Sequence, residues 1–313
     1  NTITNDPYRG IWVENGFTTT INNNTMDVGE YGIYARYGSF LTINNNVIDD
    51  FDEIGIEFYS SENSTVNYNR VLSTNTNGGW RRGISNDVDS QFAIVNYNYI
   101  EIGDKINYTN NNGNLRGINV HDSEIKGDTI ILYTYCDEVR GVYANSSNIE
   151  DNYIEVFQYY DCYSQNQGIV SYFNSNRSVI KNNTINAFGF TSGIRADNAD
   201  ILNNQITGDM SNVPGWCCWF QDSYMWSIGY GHNNLIKGNT ITNAERGIYV
   251  DGYDNNVIDS NMIQVQRYAI KGDNADSLMI INNTLQTNDG TIITTTNGGS
   301  TIKYNLLLTS SGR

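Results

Sequence analysis

The amino-acid sequence predicts an all-β solenoid: a single-stranded parallel β-helix of about 13 coils, filling residues 1–313 as one domain. Three observations predict it. An apolar-x-x-Asn-x-apolar motif recurs from one end of the chain to the other. A Gly-Ile motif, or a close variant, alternates with it and opens a short strand. Between the two, β-branched Ile, Val and Thr occupy the places where a leucine-rich repeat would need a helical arm.

The first motif runs Ile21-Asn24-Met26, Ile43-Asn46-Ile48, Val66-Asn69-Val71 and Val95-Asn98-Ile100. Ile125-Asp128-Ile130 keeps the spacing with Asp in place of Asn. Ladder residues Asn152, Asn183, Asn204, Asn239, Asn261, Asn283 and Asn305 continue the series, and Asn1 with Ile3 is a truncated first copy. One inward Asn per coil is expected to stack on the next, each side-chain amide bonding its neighbour, which satisfies a buried polar group at every turn. The second motif appears as Gly10-Ile11, Gly32-Ile33, Gly55-Ile56, Gly83-Ile84, Gly117-Ile118, Gly141-Val142, Gly168-Ile169, Gly193-Ile194 and Gly247-Ile248. Ser227-Ile228, Ala269-Ile270 and Thr291-Ile292 are looser copies. Each coil therefore holds at least two short strands, and at a strand spacing of about 4.8 Å the rod is on the order of 60 Å long.

Composition narrows the function. Eighteen Lys and Arg against 34 Asp and Glu give a net charge of −16, which excludes a nucleic-acid partner because nothing neutralises a run of phosphates. The 49 Asn do not signal disorder, since 23 Tyr, 10 Phe and 5 Trp accompany them. No apolar stretch is long enough to span a membrane.

On these repeats the chain resembles the right-handed parallel β-helix superfamily that includes pectate lyases, polygalacturonases and phage tailspikes. Its Ile-x-x-Asn-x-Ile rungs resemble still more closely the Asn-rich repeats of adhesin-like surface proteins of methanogenic archaea. The resemblance covers the whole chain and implies a right-handed coil. It says little about function, because the rung motif is architectural.

Interruptions of the repeat mark a working face. From Asn24 to Gly32 is 8 residues, but from Asn98 to Gly117 is 19 and from Asn204 to Ser227 is 23. Protruding loops are expected at about 70–82, 101–116, 131–140, 155–167 and 207–227, on one side of the rod. They carry Trp80, Arg82, Arg116, Trp216, Trp219 and Trp226. Alternate residues of the Gly-Ile strands point outward and add Tyr59, Tyr143, Tyr172 and Arg195. Aromatic rings stack on the C–H faces of sugars while guanidinium groups bond their oxygens, so these ten residues form the expected contact face. Packing of the loops on one another is the competing use of the same aromatics.

Asp87 and His121 are expected as outward neighbours one coil apart, an arrangement in which Asp orients an imidazole for acid–base work. With Asp197 they form the catalytic set if the protein is an enzyme. The polygalacturonase motifs are absent in recognisable form, and no nucleophile joins the pair. Asp251 and Asp273, also neighbours in the repeat, suit a solvated acidic surface relieved by Lys271, and would also suit calcium; no metal or other cofactor is otherwise indicated. Cys136 and Cys162 lie in corresponding arms of adjacent coils and are expected to form a disulfide. Together these features point to a non-enzymatic, extracellular cell-surface protein that is structural or adhesive. Its expected partners are copies of itself stacked end to end, other surface domains, or glycans. The alternative is a polysaccharide hydrolase or lyase.

Overall fold

A computed structural model describes residues 1–4, 7–74, 79–86, 92–103, 114–134, 138–158, 166–172, 176–189, 191–209, 226–229, 231–251, 255–288, 290–296 and 299–309. Each coil has three strands, one more than the repeat alone requires. A short one such as Thr20–Asn22 is followed by Thr25–Asp27 and then by the Gly-Ile strand, here Tyr31–Arg36. Every strand pairs in parallel with its equivalent one coil on, as in Ile21↔Ile43, Met26↔Ile48 and Ile33↔Ile56. The three series make three faces, called first, second and third in chain order. The first is a 12-stranded sheet, and the other two join into one of 23 strands because Thr240–Asp251 and Met262–Asp273 run unbroken round their shared corner. No helix occurs among the described residues.

The core is three columns of inward side chains, exemplified by Ile43, Ile48 and Ile33, all fully buried. The ladder Asn occupies the corner between the first and second faces. Asn69 Nδ2 donates to Asn98 Oδ1 at 3.0 Å and to the carbonyl of Ile43 at 2.8 Å, and the Asn69 backbone N–H donates to the same Asn98 Oδ1 at 3.0 Å. Side-chain links of 2.9–3.0 Å continue to Asn305 everywhere except out of Asp128.

That corner also explains the paired asparagines of the sequence. The residue just before each ladder position takes a left-handed conformation, as at Asn23 (φ 56), Asn45 (φ 54), Asn182 (φ 56), Asn203 (φ 53) and Asn282 (φ 56). Asn is one of the few residues that tolerates this backbone at low cost. The excess of asparagine therefore has two causes, a buried ladder and a tight corner.

The glycines of the third face answer a steric demand. A Cβ on Gly117 would lie 2.4 Å from Ile130 Cγ2 and 2.6 Å from the carbonyl oxygen of Gly141. At Gly117 the coils are too closely stacked for a side chain, whereas Ala269 fills the equivalent place in a later coil.

Several expectations need correction. Strands reach into the protruding segments: Arg70–Ser73 and Arg81–Asn86 enter the first from its two ends, while Thr129–Thr134 and Tyr153–Gln158 extend the second face in later coils. In the last third-face strand it is Ile293, not Ile292, that aligns with Ile270, since no Gly-Ile pair fixes the register there. Asp87, Cys136, Cys162, Trp216 and Trp219 lie outside the described residues, as does the side chain of Trp226.

Candidate contact face on the third sheet

The third face carries outward residues in columns at the coil spacing. Just ahead of the glycine corner, Arg82, Arg116 and Arg140 align in register, followed by Gln167 and Ser192. Two residues beyond the corner, the column reads Ser85, Asn119, Tyr143, Val170 and Arg195. Three arginines on consecutive coils thus branch from backbones about 5 Å apart along the rod.

Aromatic rings hold this column in place. Arg116 lies 4.9 Å from the ring centroid of Tyr143 and 5.6 Å from that of Trp80. Arg140 lies 4.7 Å from Tyr143, Arg82 5.9 Å from Trp80, and Arg195 5.2 Å from Tyr172. Polar bonds fix the rest: Arg116 Nη1 donates to Asn119 Oδ1 at 3.0 Å, and Asn119 Nδ2 to Ser85 Oγ at 3.2 Å.

Among the described residues the charges are poorly compensated. Arg140 pairs with Glu138, but no carboxylate among the described residues makes an ion pair with Arg82 or Arg116. Burial, and next the guanidinium groups of Arg140 and Arg82, hold Arg116 below the usual arginine range. It remains a cation, since a guanidinium is not deprotonated in proteins. A cation drawn out of water among like charges is relieved by an anion. Trp80, 54% exposed, presents a ring beside it.

The structure therefore brings together Trp80, Arg82, Arg116, Tyr143, Tyr172 and Arg195 from the expected contact face. Tyr59 does not join them in any ring contact described: its ring packs edge-on against Tyr37 at 5.8 Å, toward the N-terminal end. His121 meets Tyr143 edge-on at 5.6 Å and aligns with Asn145 of the next coil, whose Oδ1 accepts from the Tyr172 backbone at 2.9 Å. Asp197 stands three coils from His121, and its Oδ1 accepts from the backbone N–H of His232 at 2.5 Å. Those two members of the catalytic set are not assembled. Asp251 and Asp273 are register neighbours, with Lys271 Nζ 2.6 Å from Asp273 Oδ2 and Tyr249 hydroxyl 3.3 Å from it. That geometry is an internal ion pair. No cluster of three or more His, Cys, Asp or Glu suited to a metal occurs among the described residues.

Sequence reasoning missed a second buried polar column at the corner between the third and first faces. There the Ser123 backbone N–H donates to Ser147 Oγ at 3.1 Å, Ser147 to Ser178 Oγ at 3.3 Å, and Asn234 to Asn256 Oδ1 at 3.0 Å. Its signal was present: Ser, Ala or Asn stands two residues before many of the first-face isoleucines.

Comparison with known proteins agrees with this geometry. Residues 1–141 match the family model described as right handed beta helix region. The chain is a right-handed parallel β-helix. Residues 218–312 match a second model, described as periplasmic copper-binding protein (NosD). Among the described residues of that segment copper donors do not converge: His232 is its single imidazole, and Met262 and Met279 stand on different faces. The described residues do not fit a copper site, and no copper chemistry is assigned to them. Among solved structures, the β-helix is similar to the A-module of the mannuronan C-5 epimerase AlgE6 of Azotobacter vinelandii, at 13% identity and TM-score 0.60 over 98% of this chain and 80% of that one. It is also similar to PfbA, a surface adhesin of Streptococcus pneumoniae, at 11% identity and TM-score 0.52 over 93% of this chain and 83% of that one. At these identities the likeness is one of fold. Comparison with curated protein sequences gives no match.

Proposed function

We propose that this β-helix is a non-enzymatic, extracellular surface module that holds an anionic polysaccharide along its third face. The observation that carries the reading is the column Arg82, Arg116 and Arg140, sparsely neutralised in a chain of net charge −16 and flanked by Trp80, Tyr143 and Tyr172. Guanidinium groups pair with carboxylate or sulfate oxygens in a bidentate fork, and the rings supply flat apolar surface for sugar C–H groups. A linear polymer with one charge per sugar matches a column repeating once per coil. The surface adhesin and the epimerase among the structural neighbours are compatible with a carbohydrate-facing role outside the cytoplasm. Copies stacked end to end, or further surface domains, are the partners this reading implies.

A second reading, a polysaccharide-active enzyme, draws on His121 beside Tyr143 at the edge of the same face. One experiment separates the two. The protein is incubated with uronic-acid, sulfated and neutral polysaccharides, with binding followed by affinity electrophoresis and cleavage by reducing ends and unsaturated products. Retention by the acidic polymers, weakening as salt rises and without new chain ends, is the expected result. Products lost on His121→Ala would instead establish the enzyme, and equal retention by neutral polymers would sink the anionic reading.

A further inference from the structure

The asparagine ladder contains one acid, and its geometry differs from every rung around it. Asp128 is buried, and its Oδ1 does what an Asn oxygen does, accepting the Asn98 backbone N–H at 2.7 Å and Asn98 Nδ2 at 2.9 Å. Its Oδ2 is buried with no donor opposite it. That atom stands where an Asn would carry Nδ2. At neighbouring rungs Nδ2 serves two acceptors, the next ladder oxygen and a first-face carbonyl one coil back: Asn98 Nδ2 reaches Val66 O at 2.9 Å, and Asn152 Nδ2 reaches Asn183 Oδ1 at 3.0 Å and Ile125 O at 3.2 Å. The equivalent acceptors for residue 128 are Asn152 Oδ1 and the carbonyl of Val95. Asn152 Oδ1 receives the Asp128 backbone N–H at 2.8 Å and lacks the side-chain donor that other rungs supply.

An ionised carboxylate would aim a charged oxygen at two more oxygens inside a dry core. We propose that Asp128 is held in the folded protein as a neutral carboxylic acid whose O–H replaces the missing amide N–H, so that this rung closes only with a proton taken from solvent. The rung joins two particular coils. Asn98 belongs to the coil that ends in Leu115–His121, with Arg116, and Asp128 to the one that ends in Val139–Asn145, with Arg140. The proton on Oδ2 would reach back to the Val95 carbonyl, on the coil that carries Arg116, or on to Asn152 Oδ1, on the coil that ends in Asn166–Ser171, so the proton-bearing rung lies under the arginine column.

The charge environment supports the neutral form. Burial raises the proton affinity of Asp128 well above the ordinary carboxylate range, and the two bonds from Asn98 oppose this less strongly. The titratable groups on the elements packed around it point outward. Tyr97 and Tyr99 lie on the preceding coil, Glu124 and Lys126 on its own, Glu150 and Asp151 on the next. Lys126 is engaged with Glu150 and Asp151 at 3.7 and 3.4 Å. None supplies a counter-charge to Asp128. The sign follows from proton counting: the folded state keeps a proton that the unfolded chain releases above its ordinary carboxylate pKa. The contribution to stability is complete in acid, declines as pH rises above the unfolded value, and is lost as pH passes the folded one.

Two measurements on the whole chain test this. In the unfolding equilibrium, Asp128→Asn is expected to be more stable than wild type at neutral pH, with the ratio of their unfolding constants growing about tenfold per pH unit above the unfolded carboxylate pKa. Infrared difference spectra are expected to show a protonated carboxyl C=O band in wild type at neutral pH that Asp128→Asn lacks. A ratio independent of pH, or an absent carboxyl band, would overturn the proposal. Neither readout depends on polysaccharide binding.

Discussion

The third face uses the same strand, the same glycine corner and the same kinds of residue at its N-terminal end and in its middle, with opposite results. At the N-terminal end Arg9 lies 3.7 Å from the Trp12 ring, Trp12 stacks on Tyr34 at 4.5 Å, and Arg36 Nη2 meets Glu14 Oε1 at 2.7 Å. Tyr31 donates to Glu53 at 2.5 Å, and burial together with that carboxylate raises its pKa. There, arginine is spent on the protein's own rings and acids. In the middle, three arginines stack in register and Glu138 answers one of them. Residue type alone thus does not distinguish the two regions; among the described residues, how far the charge is matched does.

The largest break in this comparison is expected from Arg116→Glu. It puts a carboxylate between Arg82 and Arg140, neutralising the column from within. Losing one or two charge-assisted bonds costs about 1.5–3 kcal/mol each, so affinity for an acidic polysaccharide should fall roughly 10-fold or more. Some stability, about 1.5–3 kcal/mol, should be lost as well, because the partly buried side chain gives up its bond to Asn119. Titration of wild type and variant by calorimetry at one fixed salt concentration checks the loss. Unaltered affinity would remove the column from the contact face.

The glycine corner sharpens the contrast from the structural side. Gly117→Ala would drive a Cβ into Ile130, which is β-branched and stiff, and into the Gly141 carbonyl, costing about 3 kcal/mol. Gly10→Ala meets the Gly32 carbonyl at 2.6 Å too, but its nearest side-chain obstacle is Met26 Sδ at 2.7 Å, the flexible part of an unbranched chain, with Val28 Cγ1 farther off at 3.0 Å. The middle of the rod should therefore lose more than the end, as measured by denaturant midpoints. Equal losses would mean that the carbonyl contact alone sets the cost.

The architecture was legible because a solenoid repeats its constraints: Ile21, Asn24 and Met26 announce in six residues what every later coil does again. The third strand was hidden, since the rung motif itself straddles a corner and its two apolar residues sit on different faces. The contact face was half legible. Alternation placed Tyr143, Tyr172 and Arg195 outward, and Trp80, Arg82 and Arg116 were singled out, yet their alignment with Arg140 depends on how many residues each preceding segment loops out. Sequence spacing between Arg82 and Arg116 differs from that between Arg116 and Arg140, and only the pairing register cancels the difference. Asp128 was read as an equivalent rung, because a one-letter pattern does not show which oxygen lacks a donor.

The smallest effect is expected where arginine is already matched. Arg36 and Glu14 form their pair at the surface, with side chains 31% and 40% exposed, so solvent screens the attraction and ordering two long side chains offsets much of it. Arg36 also sits 5.0 Å from the Trp12 ring, which Arg9 already covers from closer by. Arg36→Ala should leave the melting temperature unchanged within error, and polysaccharide affinity should stay at the wild-type value at low salt, where any long-range contribution of its charge would be greatest. An affinity loss approaching that of Arg116→Glu would mean that the ligand extends over the N-terminal coils and displaces Glu14 from its partner. The contact face would then be the whole third face, and the internal pairing at its N-terminal end would be a resting state that the polymer opens.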